Sequence, residues 1–190
     1  MKINYKQTIS ACFIGYIIQA IVNNFVPLLF VTFQKSYSIE LSKITVLITI
    51  NFVIQLCIDL ASAYFIDKIG YRASALIAHG CSAAGLILLT ILPELLPSAY
   101  AGIVISVIIY AIGGGLLEVL LSPIIEACPT ENKEKAMSLL HSFYCWGHMG
   151  VVLLSTAFFA IFGIENWKAL ALIWAAVPVF NGIFFTRVPI

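Results

Sequence analysis

Two carboxylic acids, Asp59 and Glu118, stand inside long apolar runs of this 190-residue chain. An ionisable group at mid-bilayer costs about 2.5–3.5 kcal/mol on insertion scales, so it normally faces a cavity or a partner. Glu118 falls about eight residues before the end of its run, or ~12 Å deep at helical rise. Asp59 reaches a similar depth counted back from Asp67. A carboxyl so placed can bind and release a proton as a bundle changes state, and so bias an inward–outward equilibrium. Its surroundings have helical order. Asn51, Gln55 and Asp59 recur every four residues, as do Gln19 and Asn23, and each set lies on one stripe. His141, Tyr144 and His148 share a face at spacings of three and four, and Tyr110, Gly114, Glu118 and Ser122 follow at steps of four. These stripes predict the lining of a polar pathway. The competing reading is interhelical hydrogen-bond glue, worth only about 0.6 kcal/mol on average. His141 comes to a comparable depth and could exchange a proton with Glu118 or donate to a solute. For Asp59, a lateral contact with a second bundle competes with the pathway role.

The elements that must carry these stripes follow from composition. Hydrophobic residues make up 62% and charged residues 10% of the chain, and mean hydropathy is +1.04. A soluble domain averages about 45–50% apolar and about 25% charged. A water-soluble fold of this length cannot hide so much apolar surface, so lipid must act as the solvent. A net charge of +1 supplies no field for nucleic acid. The five cysteines are scattered singly, without the paired spacing of a zinc site or a disulfide framework.

About 20 apolar residues cross a bilayer as helix. The chain divides into six such spans, near 8–33, 41–66, 73–93, 98–125, 136–163 and 167–186, joined by short polar gaps. The first is too long for a cleaved signal, whose apolar region runs to about 7–15 residues. Pro27, Pro123 and Pro178 fall inside spans, where neighbouring helices can satisfy the freed carbonyls. Lys2, Lys6, Lys68, Arg72, Lys133, Lys135 and Arg187 would lie on the side of the termini, against Lys35, Lys43 and Lys168 on the other. The positive-inside rule then predicts both termini in the cytoplasm, at a plasma or inner membrane. N-N-F-V-P in the first span and E-V-L-L-S-P in the fourth echo one another. Such an echo fits an all-α bundle of two inverted three-helix repeats.

The gap after the second span, FIDKIGYR, packs an acid, a base, a glycine and an arginine into one turn. Asp67 is expected to end the second helix and accept hydrogen bonds from the third or from Arg72, and Gly70 to supply a conformation other residues resist. Such a cluster could latch one state of a moving bundle; it could equally be a solvated turn. AYFIDKIGYR resembles the loop motif of the major facilitator superfamily, G-x-x-x-D-(R/K)-x-G-R-(R/K). Asp67, Lys68, Gly70 and Arg72 match it, while Ala63 replaces the glycine and Tyr71 the first arginine. AIGGGLLEVLLSPIIEACP is similar to the glutamate-bearing fourth helix of fucose-permease-like members, and PTENKEKAMSLLHSFYCWG to the start of their fifth. The resemblance implies a transporter carrying a sugar or other small solute with protons. It also implies a second six-helix half as partner, whether from the same gene, a second copy or another subunit. Members of that branch use an acid in the first helix as well, where this chain offers Asn23 and Asn24.

No nucleophile–base–orienter set or metal-spaced histidine pair is present, and the glycines at 113–115 lack a phosphate loop's lysine. An enzyme or a cofactor protein is therefore not expected; the glycines predict close helix packing or a bend. Trp167, at a span edge, predicts an interfacial anchor. Six spans are half the usual complement of the superfamily. That leaves a fragment of a longer transporter, a half-size subunit, or a non-transporting assembly or regulatory protein with the same fold.

Overall fold

The computed structural model describes residues 5–130 and 132–190; Lys2, counted above toward the charge asymmetry, lies outside them. Among the described residues seven α-helices form one bundle: α1 (Lys6–Leu28), α2 (Phe30–Tyr37), α3 (Leu41–Ile69), α4 (Tyr71–Leu95), α5 (Ala99–Ala127), α6 (Lys133–Phe162) and α7 (Trp167–Phe185). Six helical segments are long and apolar enough to cross a membrane: α1, α3, α4, α5, α6 and the stretch Ile164–Phe185 that contains α7. The expected first span is divided. Pro27 has no N–H to continue the ladder, and the chain breaks at Leu29, whose N–H tightens onto Val26 O at 2.9 Å. The short α2 then resumes at an offset. The other helices outrun their predicted edges by two or three residues at half of their ends and lie within one residue of them at the rest; hydropathy marks where lipid begins, and backbone hydrogen bonding can continue beyond it.

The turn after α3 departs most from expectation. Asp67 and Lys68 are helical, and Gly70 alone separates α3 from α4. Gly70 sits at φ 86° and ψ 153°, and Gly163, which closes α6, at φ 85° and ψ 150°. Only glycine takes this geometry without strain. The coincidence relates the second span to the fifth. Burial extends the correspondence. Within the spanning windows 61%, 22% and 44% of α1, α3 and α4 are buried, against 61%, 17% and 39% for α5, α6 and the last span. Three spans are an odd number, so the second triple enters the bundle from the opposite side. The fold is a 3+3 inverted repeat in which α1 and α5 form the centre and α3 and α6 present broad open faces.

Side-chain caps mark the starts of α5 and α6. Ser98 Oγ accepts from Ala101 N–H at 3.3 Å and Asn132 Oδ1 from Lys135 N–H at 2.8 Å. At the end bearing both termini, Thr8 Oγ1 donates to Pro189 O at 2.6 Å. The opposite end closes over Phe33, which meets Trp167 edge-on at 5.5 Å. Trp167 is 4% exposed and belongs to this core. It is therefore not the lipid-facing anchor its span-edge position predicts.

Candidate functional site

The polar face is built around three glycines of α5, each turned to a different neighbour. A Cβ on Gly113 would stand 2.6 Å from Ala78 O and Ser82 N of α4. One on Gly114 would stand 2.9 Å from Val22 Cγ1 of α1, and one on Gly115 3.0 Å from Gln55 Cα of α3. Close packing, not a bend, accounts for the triplet. It draws α1, α3 and α4 onto α5 at one level, and so aligns the stripes that each helix carries.

Above that level lies a layer of amides. Asn23 Oδ1 accepts from Asn51 Nδ2 at 3.0 Å and from Gln55 Nε2 at 2.8 Å, and Gln55 Nε2 also reaches Asn51 Oδ1 at 3.1 Å. Asn23 Nδ2 extends the layer to the Tyr144 hydroxyl at 3.4 Å. Beside it, Asn24 Nδ2 donates to Ala20 O and to His148 Nδ1, each at 2.7 Å. His148 Nδ1 thus acts as acceptor, which leaves the proton of a neutral ring on Nε2. Nε2 is buried without a partner, and the ring of Tyr144 stands edge-on to His148 at 4.3 Å.

One turn toward the terminal end lies the carboxyl layer. Gln19 Nε2 donates to Glu118 Oε2 at 2.8 Å, and Asp59 follows Gln55 by one turn on α3, half-buried. Gln19 is 1% exposed, whereas Glu118 opens onto the face between α1, α5 and α6. Among the described residues neither acid has a salt bridge to lysine or arginine; Lys168 and Glu94 form an ion pair at the other end. A further turn down, Tyr16 OH meets Ser122 Oγ at 3.3 Å. His141 stands exposed with its ring 5.9 Å from that of Tyr16, and makes no hydrogen bond among the described residues.

The remaining predicted residues fall elsewhere. Tyr110 is 2% exposed in the core between α4 and α5, against the Cβ-free edge of Gly85. The void it shares with Asn23 and Asn51 measures about 10 Å³, room for one water at most; a solute cannot reach it there. Arg72 turns from Asp67 to the end of α7, donating to Phe185 O, Thr186 O and Val188 O at 3.1, 2.7 and 2.8 Å. Asp67 and Lys68 are exposed on the last turn of α3. The expected Asp67–Arg72 contact is absent among the described residues, because α7's orphan carbonyls lie nearer the guanidinium.

One polar centre went unforeseen. His79 of α4 is 2% exposed. Its Nδ1 donates to Ala75 O at 2.6 Å and its Nε2 accepts from Asn181 Nδ2 at 2.8 Å, while Asn181 also donates to Ala11 O at 3.0 Å. The pairing pins α4, α7 and α1. Its signal was a lone histidine among alanines and serines, without a periodic polar neighbour to mark it.

A family model described as Major Facilitator Superfamily matches residues 12–189. Among solved structures, the fold matches one titled "Crystal structure of D-xylose-proton symporter" with a TM-score of 0.78 at 18% identity, over 96% of this chain and 48% of that one. The chain thus spans about half the length of the symporter it matches. No curated protein sequence matches it.

Proposed function

This chain belongs to the Major Facilitator Superfamily, and from that premise we propose that it forms one six-helix half of a secondary transporter for a small polar solute such as a sugar, coupled to protons. Glu118 is the coupling carboxyl. The observation that carries this reading is its placement: a carboxylate on the open face of the bundle, held by an amide at 2.8 Å and paired with no lysine or arginine. Such a group can change protonation without dismantling a salt bridge. The Tyr144 hydroxyl, at the edge of the amide layer one turn away, offers a hydrogen-bonding group to solute hydroxyls.

The sparse burial of α3 and α6 supports the second half as partner. Phe52, Leu56, Leu60 and Tyr64 on α3, with Trp146, Met149 and Leu153 on α6, are more than half exposed. Lys6, Lys68, Arg72, Lys133, Lys135 and Arg187 lie toward the terminal end, and by the positive-inside rule that end faces the cytoplasm. Asp67, Lys68, Gly70 and Arg72 act in this reading as the conformational latch. Arg72 would hold the end of α7 in one state and release it in the other.

The test is uptake into proteoliposomes by the full-length protein, over a sugar panel with an imposed pH gradient. Gradient-driven accumulation that disappears in Glu118→Gln supports the assignment. Unchanged pH-driven uptake in that variant removes the coupling role, and no uptake of any solute points to an assembly or regulatory protein of the same fold.

A further inference from the structure

A groove runs between α4 and α7, two helices that contribute no residue to the amide or carboxyl layer. It is lined by Leu76, Gly80 and Ala83 from α4 and by Pro178, Val179 and Ile183 from α7, and measures about 270 Å³. Along α4 it is ~10 Å long at helical rise. Gly80 holds it open: a Cβ there would meet nothing within 4 Å. His79 forms part of the floor, but its ring nitrogens are spent on Ala75 O and Asn181 Nδ2. Thr186 lines the terminal end, and its hydroxyl donates to Ile183 O. An occupant therefore meets mostly carbon. Two arginines stand at that same end. Arg72 precedes Leu76 by four residues, and Arg187 follows Val179 and Ile183 at steps of four, so each continues a face that lines the groove. The chain past Phe185 keeps a helical turn, with Val188 N–H on Phe184 O at 3.2 Å. Arg72 is fixed in place by Thr186 O at 2.7 Å, and Arg187 is exposed. Among the described residues neither has an ion pair. The Arg72 guanidinium also keeps N–H groups beyond those spent on Phe185, Thr186 and Val188.

We propose that this groove binds an anionic phospholipid from the leaflet at the terminal end, with one acyl chain between α4 and α7 and the phosphate on Arg72 and Arg187. A groove of carbon between two spans suits a lipid chain, because water finds too few polar partners there. The chain gains only close packing, since the surrounding lipid is equally apolar. Selection therefore falls to the headgroup, and two arginines without acidic partners favour a net negative charge over a zwitterion. A headgroup so held ties α4 to α7 at the joint that Arg72 already makes. Any effect on transport rests on the function proposed above; the binding does not.

Native mass spectrometry of the full-length protein in a neutral maltoside detergent tests this, with phosphatidylglycerol and phosphatidylcholine of equal chain length titrated separately. One phosphatidylglycerol should bind saturably and at least about fivefold more tightly than phosphatidylcholine, the scale of ~1 kcal/mol per basic residue near an anionic lipid. It should also raise the unfolding temperature, which glycerol phosphate alone should not. Gly80→Leu puts a side chain into the open space of the groove and should abolish the tight binding. Arg187→Gln should weaken it about fivefold; Arg72 is left intact, because its loss also frees the end of α7. If Gly80→Leu fails to fold, Arg187→Gln and the comparison with glycerol phosphate decide. Equal binding of the two lipids overturns the site. So does phosphatidylglycerol binding unchanged in a folded Gly80→Leu, which would mean diffuse attraction to surface charge. Equal stabilisation by glycerol phosphate would mean a free anion and no lipid site, and binding unchanged in Arg187→Gln would remove the headgroup contact.

Discussion

Two polar layers one helical turn apart, carried by the same helices, reach opposite ends. In the upper layer Asn23, Asn51 and Gln55 satisfy one another and leave no buried orphan among the described residues. In the lower one Gln19, Asp59 and Glu118 leave two. The cause lies in side-chain chemistry. An amide carries donors and acceptors together, so a cluster of amides closes on itself, whereas ionised carboxylates only accept. The amide layer therefore closes on itself, and the carboxyl layer keeps two buried acceptors without donors. The stripes that looked equivalent in sequence divide into scaffold and site.

The largest effect should come from removing the frame both layers share. Gly113→Val would drive two methyl groups into α4 at Ala78 and Ser82. It is expected to cost about 3 kcal/mol or more, at or beyond the usual range for overpacking, seen as loss of a thermal transition in detergent. Making the two layers alike is the sharper test. Glu118→Gln gives the lower layer a second amide beside Gln19, so gradient-driven uptake should fall about a hundredfold, as on loss of an acid–base group, while the unfolding temperature holds or rises. Breaking the scaffold layer should do the converse. Asn23→Leu strands the Asn51 donor and leaves Gln55 Nε2 with Asn51 Oδ1 alone, and should lower stability by about 1–2 kcal/mol, with the pH dependence of any uptake unchanged. Arg72→Gln removes charge-assisted bonds to α7's last carbonyls. It should cost roughly 1 kcal/mol and speed amide exchange near residues 185–189, leaving both layers intact. Lys168→Ala, which removes an exposed ion pair with Glu94, is expected to change stability by no more than about 0.5 kcal/mol.

The repeat was legible before the structure in the proline echo of the first and fourth spans. The stronger evidence is the shared backbone geometry of Gly70 and Gly163, which no residue pattern announces because glycines are frequent in spanning helices. Glu118 and Gln19 stood on predicted stripes, but their contact could not be read, since periodicity gives the face of a helix and not its neighbour. Tyr110 shows the limit clearly. It shares the stripe of Glu118, yet eight residues earlier on α5 that face meets the core, where the backbone of Tyr110 packs against Gly85 and the side chain is buried. Asp67 and Arg72 are close in sequence and still do not pair, because a helix end elsewhere in the chain competes for the guanidinium. Trp167 and His79 were misjudged or missed for a like reason: residue type suggested a membrane edge for one and gave no signal for the other.

By itself the sequence determined the solvent, the number of spans, the family and the stripes that carry Asp59 and Glu118. All of these are local properties of hydropathy, helical period and motif. The tertiary structure alone decided which stripes meet, that amides close one layer while acceptors crowd the next, and that Arg72 serves α7. Those outcomes depend on how closely helices far apart in the chain approach one another, and here three adjacent glycines on α5 set that distance.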